Sequence, residues 1–408
     1  MRVLHFAPRV CWPLDTGAKL RNYHLARVLS EHARLTLLAF TDDPQPLSAL
    51  SEIYEEVIPV RRAPGYTPAK ILRGAVGRTP LSLLNYTTGA MKQALERALS
   101  AREYDVVQIE SIHLMAYLPL IRASGARPLV ICDWHNIESE LMQRYSERER
   151  SFLRKTYAQK TVRQLRALEQ QATRDFDAHV MVSQRDREQL LKLNPAAAVS
   201  VIENGVDTFN YSDAAIEEAH AAAKEGESSG AGRNRLLFVG SMDYHANIDG
   251  VIDFARNVWP AVYSAKPELT FTIVGRDPAI QVRELAARPG IEVSGTVADV
   301  RPYYREAIAS IVPLKVGGGS RLKILESMAA GVPVISTTLG AEGLVVQDHK
   351  ELLLADTNED LAVAIKDLVD DGGLRRRLTE AARAMVADRY DWSMLGTDLL
   401  AFYRELRP

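Results

Sequence analysis

Cysteine is nearly absent: 408 residues hold only Cys11 and Cys132. Two thiols on a chain this long exclude a disulfide framework and fit a reducing compartment. Long apolar runs are missing too. No stretch approaches the ~18 consecutive apolar residues that a membrane-spanning helix needs. The opening run MRVLHFAPRV is broken by Pro8 and Arg9 before it can act as a secretory signal. These absences together lead us to expect a cytoplasmic protein. Net charge is small as well, with 50 Lys and Arg against 52 Asp and Glu, so the chain is not a nucleic-acid binder by charge.

What is present is the composition of a globular protein, 47% hydrophobic and 25% charged. Its charge is unevenly placed. Residues 1–207 carry 28 basic and 23 acidic side chains, whereas the rest carries 22 and 29. A basic half joined to an acidic half implies two domains with different partners.

Short β-branched runs alternate with longer helical patterns in both halves. Val3–Ala7, Leu35–Phe40, Val106–Ile109, Leu129–Cys132, His179–Val182 and Val199–Ile202 read as buried strands in the first half. Leu236–Val239, Thr270–Val274, Ile291–Val293, Ala309–Val312, Val334–Ser336 and Leu352–Leu354 read likewise in the second. The alternation predicts an α/β fold of two doubly wound, Rossmann-like domains with a ligand cleft between them. The expected divisions are 1–207, a linker or surface insertion at 208–234, a second domain at 235–389, and a C-terminal helix at 390–408. That last helix is expected to cross back to the first domain.

The richest segment is GGGSRLKILESMAAGVPVISTTLGAEGL. Gly317, Gly318 and Gly319 follow a strand and precede a helix expected to begin near Ser320. Glycines let a ligand approach the backbone, and a helix start offers free N–H groups to an anion. Leu322, Leu325 and Ala329 repeat at helical spacing and should face the sheet. Arg321 and Lys323 add two cations where a diphosphate would sit. Glu326, a turn further on, can accept hydrogen bonds from a ribose diol. Taken alone, such a turn is more often a Gly-rich loop beside a solvated Lys–Glu pair.

The following residues change that reading. Gly331, then Val332-Pro333-Val334, then Gly340-Ala341-Glu342-Gly343 complete a pattern that resembles the retaining glycosyltransferases of family 4, which have the GT-B fold. The resemblance extends through PLDTGAKLR at 13–21, VSQRD at 182–186, NGVD at 204–207, FVGS at 238–241, IVGR at 273–276 and VSGTVADVRPYY at 293–304. Among family members it is most similar to sugar transferases of bacterial exopolysaccharide gene clusters. The resemblance implies a nucleotide-sugar donor bound by the second domain, an acceptor bound by the first, and no cofactor beyond that co-substrate. Gly17, Gly240, Gly318, Gly319, Ser320 and Glu326 are then the expected donor-binding residues.

Two departures stand out. The family's paired glutamates lie eight positions apart; the second falls on Glu326, but the first falls on Gly318. Relatives also place an Arg and a Lys after the second domain's first strand, where GSMDYHANIDG has neither. Arg321 and Lys323 are therefore the expected diphosphate clamp and, with His135, the expected catalytic residues. His135 follows the strand LVICDW, where the family carries a histidine that contacts the donor sugar. Lys19 and Arg21, beside the Gly17 loop, are candidates for acceptor or phosphate contact. Asn136 and Glu138 have weaker claims, and Glu110 and His113 read as loop polarity.

Asp175-Phe176-Asp177 resembles an Asp-x-Asp metal motif but precedes a strand rather than ending one. No metal is expected. No acid lies between Val57 and Leu95, while Arg61, Arg62, Lys70, Arg73, Arg78 and Lys92 do, interleaved with leucines. Nine basic residues face three acidic ones from Arg144 to Arg174. This bias fits attachment to an anionic membrane surface, a peripheral partner suited to a lipid-linked acceptor.

The sequence thus predicts a retaining, metal-independent glycosyltransferase acting on a glycan or lipid-linked acceptor in polysaccharide or envelope biosynthesis. The alternatives are a sugar-nucleotide epimerase of the same fold and a catalytically silent sugar-nucleotide-binding subunit.

Overall fold

The computed structural model describes residues 1–42, 47–62, 66–222, 234–242, 244–316 and 321–407. They form two units: Met1–Glu203 with Trp392–Pro408, and Asn204–Asp391.

The first unit holds β1 (Arg2–Ala7), β2 (Arg34–Thr41), β3 (Glu56–Arg61), β4 (Val106–Glu110), β5 (Leu129–Trp134), β6 (Ala178–Met181) and β7 (Val199–Val201). They pair in the order β3-β2-β1-β4-β5-β6-β7, and every pair is parallel. Burial on both faces explains the near-continuous apolar runs: every residue from Leu35 to Phe40 is buried. β3 has no counterpart among the strands read from sequence. It is an edge strand in which only Val60 is buried, and Pro59 interrupts its donors, so it lacks the apolar signature.

The second unit holds β8 (Arg235–Val239), β9 (Thr270–Val274), β10 (Ile291–Gly295), β11 (Ala307–Val312), β12 (Val334–Ser336) and β13 (Leu353–Leu354). Their order is β10-β9-β8-β11-β12-β13, again parallel. In each sheet the winding reverses beside its first strand, between β1 and β4 and between β8 and β11. Such switch points open a crevice at the carboxyl ends of the strands, where ligands bind.

Two segments differ from a plain two-half chain. Part of the stretch read as a linker is a helix, Asp213–Ala222. Its Ile216 and Ala219 are buried, and Ile216 packs with Leu237, Tyr303, Tyr304 and Val332. Ala- and Glu-rich composition hid a two-residue apolar stripe. Residues 223–233 of that stretch lie outside the described residues. The helix Trp392–Leu406 lies against the helix Gly17–Ser30 of the first unit. Trp392 stacks on His24 with ring centroids 5.5 Å apart. A Cβ on Gly396 would stand 2.5 Å from Val28 Cβ, so only glycine permits this approach. Tyr403 is fully buried, and Arg407 pairs with Asp105 at 3.0 Å.

Candidate active site

In the second unit the helix Leu322–Ala329 brings its polar side to the switch point while Leu322, Leu325 and Ala329 are buried, as their spacing predicts. Ser327 Oγ pins it to β11 by a bond to Ser310 Oγ at 2.9 Å. Lys323 and Glu326 are not a solvated pair: both are half-buried. Lys323 Nζ donates to Asn247 Oδ1 at 2.6 Å and lies 4.4 Å from the centre of the Phe238 ring. Asn247 in turn donates to Ser241 O at 2.8 Å. A Cβ on Gly240 would stand 2.9 Å from both Lys323 Nζ and Asn247 Nδ2. The missing side chain at 240 is what lets the amine reach the end of β8.

Lys323 therefore stands in space beside the segment whose sequence lacks a cation. Burial, and then the neighbouring Arg321, lower its pKa to about 7. Arg276 adds a second cation that sequence reading did not single out; its Nε donates to Ser241 Oγ at 3.1 Å. Glu326 is held from behind by two phenols. Tyr304 Oη donates to Oε2 at 3.4 Å, and Tyr211 also hydrogen-bonds the carboxyl. Burial raises this carboxyl above the usual range despite both bonds.

Arg321, expected as a phosphate clamp, is buried and bonded to protein. Its Nε donates to Glu342 O at 3.0 Å and one terminal nitrogen to Leu339 O at 2.8 Å, with the Glu342 carboxylate 3.5 Å away. These bonds fasten the 339–342 segment to the helix start. Gly318, Gly319 and Ser320 lie outside the described residues.

In the first unit Thr16 caps the helix Gly17–Ser30, so Gly17 is its first residue, close after β1. Lys19 pairs with Asp15 at 2.8 Å. Arg21 is a correction to the sequence reading. It is fully buried, forks onto Asp133 with two bonds of 3.1 Å, and donates to Ile202 O and Glu203 O. Helical periodicity turned it inward, where a paired guanidinium holds β5 to the segment after β7.

The ends of β1, β4 and β5 carry a hydrogen-bonded chain. Tyr54 Oη lies 2.7 Å from His5 Nδ1, and His5 Nε2 lies 2.7 Å from Glu110 Oε1. Glu110 Oε2 lies 2.8 Å from His135 Nε2. Gln108 also donates to Glu110 Oε1 at 2.5 Å. Burial opposes the charge on Glu110, but His5 and His135 outweigh it and lower its pKa. Burial likewise opposes a charged His135, yet its bond to Glu110 and the fields of Glu110 and Asp133 raise its pKa. Glu110, Asp133 and His135 have donor atoms within 4.8 Å of one another. Glu110 and Asp133 are taken up by protein partners, His5, His135 and Gln108 on the first and Arg21 on the second, while His135 uses only Nε2. Ser111, which follows Glu110, sits at φ 82° and ψ 140°, a conformation costing non-glycine residues about 1–3 kcal/mol. Glu110 had read as loop polarity; its importance depends on strand ends that only the fold brings together.

Of the remaining candidates, His113 is drawn to Ser111 Oγ at 3.0 Å and stacks on Tyr86. Burial, then His135, lower its pKa to about 4. Asp177 receives a two-pronged Arg122 at 2.9 Å and the Val130 N–H at 2.7 Å, so it anchors β5.

Two Rossmann-like sheets, each with polar side chains gathered at its switch point, define the class: an α/β protein of GT-B fold. A family profile described as "Glycosyltransferase Family 4" matches residues 16–209, and one described as "Glycosyl transferases group 1" matches residues 233–371. Between them they take in most of the chain, which belongs to this glycosyltransferase family.

A glycogen synthase of Mycobacterium tuberculosis is 24% identical over 254 residues, 59% of this chain and 57% of that protein. A phosphatidyl-myo-inositol mannosyltransferase of Mycobacterium leprae is 32% identical over 175 residues, 41% of this chain and 46% of that protein. The matches thus span about half the length of these curated relatives. Anabaena HepE in complex with UDP and glucose superposes with a TM-score of 0.67 at 18% identity, covering 99% of this chain and 100% of that one.

Proposed function

We propose that this chain is a retaining glycosyltransferase that moves a sugar from a nucleoside diphosphate to a glycan or lipid-linked acceptor. The observation that carries the reading is the Lys323 amine, held by Asn247 against Gly240 at the end of β8. The UDP and glucose in the HepE structure support a nucleotide-sugar donor.

In the reaction the bond between the anomeric carbon and the diphosphate oxygen breaks as the acceptor oxygen bonds to the same face. The departing phosphate oxygen takes the acceptor's proton. Negative charge grows on the diphosphate, and Lys323, with Arg276 nearby, supplies a preorganised cation for it. Glu326, oriented by Tyr304 and Tyr211, accepts from the ribose hydroxyls. Arg321 acts by holding the 339–342 segment in place.

The reaction proceeds without a metal ion. Of the Asp-x-Asp pair, Asp177 is taken up by Arg122 and the β5 backbone and the Asp175 carboxylate accepts from Gln171, and the cations named above carry the leaving-group charge. The first unit docks on anionic membrane, as its basic surface favours.

The test is to incubate purified protein with radiolabelled nucleotide sugars, with and without membrane extract, and with EDTA. Acceptor-dependent incorporation with retained configuration, undiminished by chelation, is expected. Isomerisation without acceptor, or binding without turnover, overturns the transferase reading. Loss of incorporation in EDTA that magnesium or manganese restores overturns metal independence.

A further inference from the structure

The chain Tyr54–His5–Glu110–His135 is more than the binding of a nucleotide sugar requires. It crosses three neighbouring strand ends, from a buried phenol to one half-buried imidazole. Side-chain exposure is 0% at Glu110 and 7% at His5, but 18% at His135. We propose that Glu110 is a positioning residue: it grips Nε2 of His135 and leaves Nδ1–H of an imidazolium as the donor offered to a substrate oxygen. The inference rests on the transferase reading for the identity of that substrate.

The first support is geometric. An ionised carboxylate only accepts, so the bond at 2.8 Å fixes the proton on Nε2 and leaves Nδ1 as the ring nitrogen available to a substrate. Nδ1 has no hydrogen-bond partner among the described residues.

The second support is the charge count. The groups facing His135 are Glu110 from β4, Asp133 from β5 and Arg21 from the helix Gly17–Ser30, with His113 and Glu138 further out. Burial pushes the Asp133 carboxyl up, and Arg21's two bonds oppose that. Asp133 is answered by Arg21, while Glu110 has only the two imidazoles bonded to it, His5 and His135, to offset a buried negative charge that is costly to leave uncompensated. A proton on His135, the member nearest solvent, closes the count. Nδ1 is then a donor; without that proton it becomes an acceptor. Glu110 sets which of the two the substrate meets.

The consequence has a sign. His135 has a raised pKa, so its imidazolium and the activity that depends on it are present at lower pH and lost as pH rises through that value. Replacing the carboxylate by an amide removes the hydrogen bond to charge and the field that hold the proton.

The experiment titrates histidine-labelled full chain and its Glu110→Gln variant by NMR, with His135→Asn identifying the His135 signal. The His135 midpoint is expected to fall by about one pH unit or more, tenfold in proton affinity per unit. The alkaline fall in kcat should move down by the same interval, while KM for the nucleotide sugar stays within about twofold, as expected of an interaction made in the transition state. An unchanged midpoint overturns the proposal. Should Glu110→Gln not fold, Glu110→Asp keeps the charge but withdraws it by one methylene; midpoint and kcat both unmoved in that variant also overturn it. The titration needs no turnover, so a shifted midpoint in a protein that transfers no sugar refutes the transferase reading instead.

Discussion

A lysine whose amine titrates near pH 7 is a different reagent on either side of neutrality. Lys323 is such a residue, because burial and Arg321 disfavour its charge while Asn247 and Phe238 hold it in place. A bound diphosphate brings negative charge beside the amine and raises its pKa again. Between the free and bound values, binding must therefore take up a proton. Calorimetry of nucleoside diphosphate binding at pH 8, in buffers of different ionisation enthalpy, should show uptake that vanishes below about pH 6. Lys323→Met should abolish the uptake. Gly240→Ala should push the amine aside and weaken binding by about tenfold, ~1.4 kcal/mol, with little change in thermal stability. Equal heats in all buffers would place the amine away from the phosphates. The residues of this site were partly legible in the sequence. Lys323 and Glu326 are candidates from sequence because they follow a glycine run, and His135 because it stands where the family resemblance implies a histidine. Glu110 reads from sequence as loop polarity, and Arg276 and Tyr211 are not singled out there. Glu110 meets His5 across 105 positions and His135 across 25, and no local spacing encodes such meetings.

Elements were legible where burial is symmetrical. The fully buried strands announce themselves as apolar runs, whereas β3, half-exposed at a sheet edge, and the helix Asp213–Ala222, with its narrow stripe, do not. The helix Pro68–Val76 shows the reverse, apolar residues left uncovered. Ile71, Leu72 and Val76 are exposed, and so are Phe152, Leu153 and Tyr157 on the helix Phe152–Asp175. The two helices are tied at Gln164, which donates to Gly74 O at 3.1 Å and Gly77 O at 2.8 Å, and at Lys160, which donates to Ala75 O. Leu153, Tyr157, Lys160 and Gln164 share one helical face, so that face continues from the contact into exposed apolar surface. No acid occurs at 57–95 or 150–168. Electrostatic attraction of about 1 kcal/mol per cation near anionic headgroups would here be joined by burial of apolar side chains at roughly 1.5–3 kcal/mol each. Co-sedimentation with phosphatidylserine vesicles should fall with salt and fall again in Leu72→Ser combined with Phe152→Ser. Binding indifferent to that double substitution would leave charge alone as the cause.

At the scale of the whole molecule, two sheets repeat one winding on unrelated runs of residues, and this repetition was the most legible feature of all. It follows from strand-and-helix alternation, which composition and periodicity encode directly. Less legible was the return of the chain, since nothing in Trp392–Leu406 names its receiver. The receiver is the helix Gly17–Ser30, through His24 and Val28. A chain stopped at Asp391 should therefore keep residues 204–391 resistant to limited proteolysis while residues 1–203 are cut; equal resistance of both parts would show that the helix contributes little. Synthesis on the ribosome proceeds in one direction, and this return imposes a delay. The sheet β1–β7 emerges early, but its last covering helix follows only after the entire second unit. At roughly 5–20 residues per second the wait is on the order of ten to forty seconds. Through that interval the face of Gly17–Ser30 destined for Trp392 and Gly396 has no covering helix.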